Sequence, residues 1–141
     1  MKVIIINGPN LNLLGQRQPE IYGNQPFGVK LDELKSQYPD VELSYFQNNS
    51  EGTLIDKLHE VGFSFDGIIF NPGGYSHTSV ALADAVASLK TPVVEVHISN
   101  IYSREEFRRH SFISPYSKAV ISGLGLYGYE AALRFLISDK I

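Results

Sequence analysis

The chain contains no cysteine among its 141 residues. That excludes disulfides, thiolate zinc sites, iron–sulfur clusters and a cysteine nucleophile. It also lacks a long apolar run. The strongest, VIII at Val3–Ile6, is far too short for a signal-peptide core or a membrane span. Positive charge is in short supply: 12 Lys and Arg against 15 Asp and Glu give a net charge of −3. Such a balance gives no general electrostatic reason to bind nucleic acid, which usually needs a basic face. Repeats, low-complexity tracts and linkers are missing as well. Hydrophobic content of 43% and charged content of 19% are ordinary for a folded domain. The length suits one domain over residues 1–141, able to bury roughly two-thirds of its unfolded surface. These features predict a soluble, cytoplasmic, single-domain protein with no membrane or nucleic-acid partner.

Short apolar stretches rich in β-branched residues supply the strands. Val3–Ile6, Gly67–Phe70 and Pro92–Val96 are continuous rather than alternating, as in strands covered on both faces by helices. Val41–Phe46 alternates in part and suits an edge, and Lys118–Ser122 makes a fifth strand. Helical spacing fills the gaps: Leu31, Leu34 and Tyr38; then Leu54, Ile55, Leu58 and Val61, with Ser50 as N-cap and Gly62 as stop. Val80–Leu89 and Tyr129–Ile137 complete the set, the chain reaching Ile141 within the last helix. This alternation predicts an α/β fold, a flavodoxin-like doubly wound five-stranded parallel sheet with helices on both faces.

In such sheets ligands sit beyond the carboxyl ends of the strands, and there the polar residues gather. The first strand runs into NGPNLNLLGQRQPEIYG, a segment ill suited to helix or strand, and the third into NPGGYSHTS. His77, His97 and His110 lie in strand-end segments, and His59 lies on a helix. Glu95 and His97, two apart in VVEVHIS, share one face of a strand. A carboxylate so placed can hold the imidazole in one tautomer for acid–base work, or the pair can be a simple structural contact. Pro72, Gly73 and Gly74 allow a sharp turn close to a ligand. His77 and Asp84 share a helix face if the following helix begins early, although an aspartate on an alanine-rich helix is ordinarily just exposed.

Two further segments carry charge. In SREEFRRHS, Glu105 and Arg109 have the spacing of a surface ion pair, and Arg108 could bind a carboxylate bidentately or simply face solvent. Tyr22 lies within reach of Arg17 if its segment folds back, and a nearby cation favours a phenolate. A buried, hydrogen-bonded tyrosine is the commoner arrangement. GLGLYG, Gly123–Gly128, matches a dinucleotide fingerprint, but the strand and acidic residue that must follow are missing, so it reads as a tight strand–helix connection.

Taken in order and spacing, NGPNLNLLGQRQPEIYG, FNPGGYSHTS, EVHISN, REEFRRHS and SGLGLYGYEAALRFL resemble the type II 3-dehydroquinate dehydratases over nearly the whole chain. The resemblance implies a flavodoxin-like dodecamer of trimers. It also implies dehydration of 3-dehydroquinate to 3-dehydroshikimate through an enolate, in the shikimate pathway, with no metal or organic cofactor. By motif, Tyr22 becomes the catalytic base, supported by Arg17, and His97 the general acid oriented by Glu95. Asn10 would stabilise the enolate through a water. Asn71, His77, Arg108 and the backbone N–H groups of Ile98 and Ser99 would hold the substrate. Asp84 would reach into a neighbouring subunit's site.

Two stretches depart from the family pattern. Ser50 stands in QNNSEG where a histidine is usual, and NQPFGVK, residues 24–30, predicts a late helix start near Val29. A flavin-binding electron carrier of the same fold would need a Ser/Thr-rich phosphate loop after the first strand. A receiver-type signalling module would need acidic residues there. Asn7 and Gly8 stand in that place.

Overall fold

The computed structural model describes residues 1–139, so the expected end of the last helix at Ile141 lies outside the described residues. The strands are β1 (Lys2–Asn7), β2 (Glu42–Gln47), β3 (Gly67–Asn71), β4 (Val93–His97) and β5 (Ala119–Ser122). All the pairings are parallel, in the order β2-β1-β3-β4-β5. The helices are α1 (Pro19–Tyr22), α2 (Phe27–Gln37), α3 (Glu51–Val61), α4 (Val80–Ala87) and α5 (Tyr127–Asp139). This is the flavodoxin-like order expected of the sequence, with β2 at one edge.

Strand periodicity divides the core into two layers. On β1, Val3 and Ile5 face one way, toward Leu34 of α2 and Leu133 and Leu136 of α5. Ile4 and Ile6 face the other way, toward Leu54 and Leu58 of α3 and Leu82 and Val86 of α4. Each such aliphatic side chain stabilises the fold by roughly 1.5–3 kcal/mol on burial. The continuous apolar runs are therefore explained: both faces of β1, β3 and β4 are covered.

Local chemistry sets the helix ends. The Ser50 hydroxyl accepts from the Thr53 N–H at 3.4 Å and caps α3, and the N–H of Gly62 closes it on Leu58. Ser79 caps α4 by accepting from the Leu82 N–H at 2.9 Å. Two expectations need correction. The helix after NQP starts at Phe27, not near Val29, because Pro26 holds an extended N-cap backbone. Phe27 then seats the first turn in the core, stacked on Tyr45 at 4.9 Å and edge-on to Tyr129 at 4.8 Å. The first loop is also less irregular than its composition suggests. Pro19, whose fixed φ suits a first helical position, opens the single turn α1.

The order of the strands reverses between β1 and β3, whose carboxyl ends lie side by side. Gly8 N–H donates to the Asn71 carbonyl at 2.8 Å. A Cβ on Gly8 would lie 2.6 Å from the Pro72 oxygen, so a larger residue would push the two loops apart.

Candidate active site

A cleft opens at this carboxyl rim. Its lining includes Asn10, Arg17, Tyr22, Asn71, His77, His97, Ile98, Ser99 and Arg108, so four of the five sequence motifs converge on one place. Glu95 lies beneath it, and Asp84 is outside it.

One wall is built from β4. Glu95 is fully buried and His97 is 5% exposed. The His97 Nε2–H donates to Glu95 Oε2 at 2.5 Å, which leaves Nδ1 for whatever enters the cleft. The alternation of a strand puts both side chains on one face, as expected. Two more groups complete the carboxylate's surroundings. Ser111 donates to Oε1 at 3.1 Å, and the Ser114 hydroxyl lies 3.0 Å from both oxygens. Neither serine is evident from spacing. The available signal was physical: a buried carboxylate needs several donors, and HSFIS is the nearest source.

The opposite wall comes from the first loop. Tyr22, the last residue of α1, is half-buried. Arg17 lies over its ring, with Cζ 4.9 Å from the centroid. Arg104 does more. Its Nη1 donates to the Tyr22 hydroxyl oxygen at 2.9 Å and to Ser99 Oγ at 3.3 Å, and its Cζ lies 5.4 Å from the ring centroid. The phenol therefore sits among two guanidiniums. The loop is held in shape at a conformational cost: Asn10 and Gln18 both have positive φ, 70° and 41°. Asn10 N–H is anchored by Asn49 Oδ1 at 3.0 Å, and Gln47 Nε2 donates to the Gly8 carbonyl at 3.0 Å.

Asn71, His77 and Arg108 supply polar groups between the walls. Asn71 Oδ1 accepts from the Gly73 N–H at 3.1 Å, and Gly73 makes the turn with a φ of +61°. His77 Nδ1 lies 2.7 Å from the His110 carbonyl, which can only accept, so Nδ1 carries the hydrogen. Burial pushes the His77 pKa down, and the neighbouring His97 and Arg108 add to the effect, against the opposing backbone bond to His110. A neutral ring is therefore favoured, stacked 6.2 Å from that of His97.

Two sequence expectations fail here. His77 and Asp84 do not share a helix: His77 ends a separate 3-10 segment, Gly73–His77, and α4 begins at Val80. Asp84 is exposed on α4. Nor does Glu105 pair with Arg109. Residues Glu106–Arg109 form a 3-10 turn, whose three-residue period brings Glu105 under Arg108 instead. The Arg108 guanidinium holds the Glu105 carboxyl below its usual range. Arg108 makes this contact through Nε and also lines the cleft. The tight-turn reading of GLGLYG holds: it links β5 to α5, with positive φ at Gly123 and Gly125. Among the described residues no group of three or more His, Asp or Glu side chains is arranged to hold a metal ion.

Comparison with known proteins points to one family. The family model described as "Dehydroquinase class II" matches residues 1–137. A 3-dehydroquinate dehydratase of Bacillus pumilus is 48% identical over 138 residues, 96% of this chain and 94% of the relative. A catabolic 3-dehydroquinase of Phaeosphaeria nodorum is 50% identical over 135 residues, 94% of this chain and 89% of that protein. Among solved structures, a type II dehydroquinase from Butyrivibrio crossotus superposes with a TM-score of 0.93 at 43% identity, covering 97% of each chain.

Proposed function

The chain belongs to the class II dehydroquinase family, and we propose that it dehydrates 3-dehydroquinate with Tyr22 as base and His97 as acid. The enzyme is a hydro-lyase of the shikimate pathway. The reaction removes a proton from the carbon beside the ketone and a hydroxyl from the next carbon. It leaves a carbon–carbon double bond conjugated to the ring carbonyl.

Tyr22 takes the proton. Arg104, hydrogen-bonded to the Tyr22 oxygen at 2.9 Å, stabilises negative charge on it, and Arg17 supports the same charge across the ring face. The electron pair moves onto the ketone oxygen, where Asn10 acts through a water. His97 gives a proton to the departing hydroxyl, which leaves as water. Glu95 holds its imidazole in one tautomer through the 2.5 Å contact at Nε2, so that Nδ1 faces the substrate. Asn71, neutral His77, Arg108 and the N–H groups of Ile98 and Ser99 hold the carboxylate and hydroxyls. The observation that carries this reading is the pairing of a guanidinium-flanked phenol with a carboxylate-held imidazole in one cleft.

The remaining parts of the reading concern the whole protein. Residues 1–141 act as one catalytic domain, in line with the family match over 1–137. Twelve copies assemble from trimers, and Asp84, exposed on α4, reaches the site of a neighbouring copy. The protein works in the cytoplasm, in keeping with a cysteine-free chain in which no described helix is long and apolar enough to cross a membrane.

Ultraviolet absorbance tests the activity. Purified protein with 3-dehydroquinate and a chelator should give a steady rise from the conjugated enone. Pretreatment with borohydride and substrate should leave the rate intact, since no lysine is among the described residues lining the cleft. Folded protein that gives no rise, or that borohydride inactivates, would overturn the proposal.

A further inference from the structure

Behind the cleft, in contact with its lining residue Asn71, lies a titratable group that the steps above do not use. Tyr129, on α5, is fully buried, and its hydroxyl reaches the place where β1 and β3 end side by side. It donates to Asn7 Oδ1 at 2.8 Å and accepts from Asn71 Nδ2 at 2.8 Å. Asn7 and Asn71 are register partners, 0% and 3% exposed. Asn7 Nδ2 lies 3.5 Å from the Tyr45 hydroxyl, which completes the cluster.

We propose that Tyr129 is a positioning residue for substrate binding, fixing the orientation of the Asn71 amide from behind. The inference rests on the reading of Asn71 as a substrate-holding residue. The hydrogen-bond polarity supports it. Asn7 Oδ1 can only accept, so it takes the single hydroxyl hydrogen of Tyr129. The Tyr129 oxygen is thereby left as an acceptor, and only the amide nitrogen of Asn71 satisfies it. At the other end of that amide, Oδ1 is tied to the Gly73 N–H at 3.1 Å. Both ends are pinned, so the amide cannot flip, and the second N–H of Nδ2 keeps one direction. Burial pushes the phenol above its ordinary pKa, so the hydroxyl keeps its hydrogen and the polarity does not reverse.

A phenylalanine at this position keeps the ring packed on Phe27 and removes only the clamp. Tyr129→Phe should raise KM by about ten-fold, with kcat changed by no more than about two-fold, as expected when binding common to ground and transition states is lost. Asn71→Ala should also raise KM. The two changes together should be no worse than Asn71→Ala alone, because one acts through the other.

The outcomes separate the two claims. Unchanged KM in Asn71→Ala overturns the reading of Asn71 and the inference with it. A raised KM in Asn71→Ala with unchanged KM in Tyr129→Phe overturns only the clamp. Two raised KM values that multiply in the double variant assign Tyr129 a merely structural role, which also overturns it. Should Tyr129→Phe fail to fold, Asn7→Ala removes the acceptor that turns the hydroxyl. It should raise KM several-fold in the wild-type background and have no effect beside Asn71→Ala; an effect that persists there overturns the clamp.

Discussion

The two walls of the cleft are built on opposite plans. The His97 wall stands on a central strand, with its imidazole 5% exposed and its carboxylate partner held by two serines. The Tyr22 wall is a loop with one helical turn, two residues at positive φ and a half-buried phenol flanked by arginines. A proton donor can be preorganised by the core, because its oriented partner is part of the sheet. A base that must carry negative charge needs cations, and those are costly to bury deep in the core. With Tyr22 as the proposed base and His97 as the proposed acid, the difference between the walls follows from the charge each must bear.

The largest effect that sharpens this contrast belongs to Arg104. Arg104→Gln removes the cation at the Tyr22 oxygen and should lower kcat by about 10²-fold. Steady-state rates would show it, and an unchanged kcat would leave Tyr22 without need of this cation. On the other wall the effect should be smaller, since Glu95 is touched but not removed. The double change Ser111→Ala and Ser114→Ala should lower kcat by about ten-fold with little change in KM, together with a lower melting temperature.

The smallest effect lies between the walls, at His77. Its folded pKa lies below the ordinary value of 6.5, so the unfolded chain takes up its proton first as pH falls. This contribution to stability is complete above pH 6.5 and is lost as pH falls through the lowered folded value. Melting temperatures at pH 7 and pH 5 should therefore fall further for the native protein than for His77→Gln, by on the order of 1 °C. An equal fall in both would remove His77 as the cause.

The contrast also explains what was legible in the sequence. Residues two apart on a strand point the same way, so the sequence alone pairs Glu95 with His97. Ser50 and Gly62 were visible as helix ends because capping is local chemistry. The Tyr22 wall offered no such rule. Arg17 and Tyr22 were matched through their motif, and the turn that carries Tyr22 was hidden in a segment rich in proline and glycine. Arg104 was out of reach of spacing arguments, since its partner lies 82 residues away. Tyr129 was equally hidden, joined to Asn7 and Asn71 across 122 and 58 residues. The pairing of Glu105 with Arg109 fails because α-helical spacing has the wrong period for a segment that forms a 3-10 turn. Long-range contacts are made by the fold, and only the fold reveals them.

The decisive experiment separates the two walls by following hydrogen exchange between 3-dehydroquinate and deuterated water. His97→Ala keeps the base, so it should still exchange the hydrogen beside the ketone while forming product slowly. Tyr22→Phe should lose exchange and product formation together. If Tyr22→Phe still exchanges that hydrogen at the native rate, Tyr22 is not the base, and the division of labour between the walls is wrong.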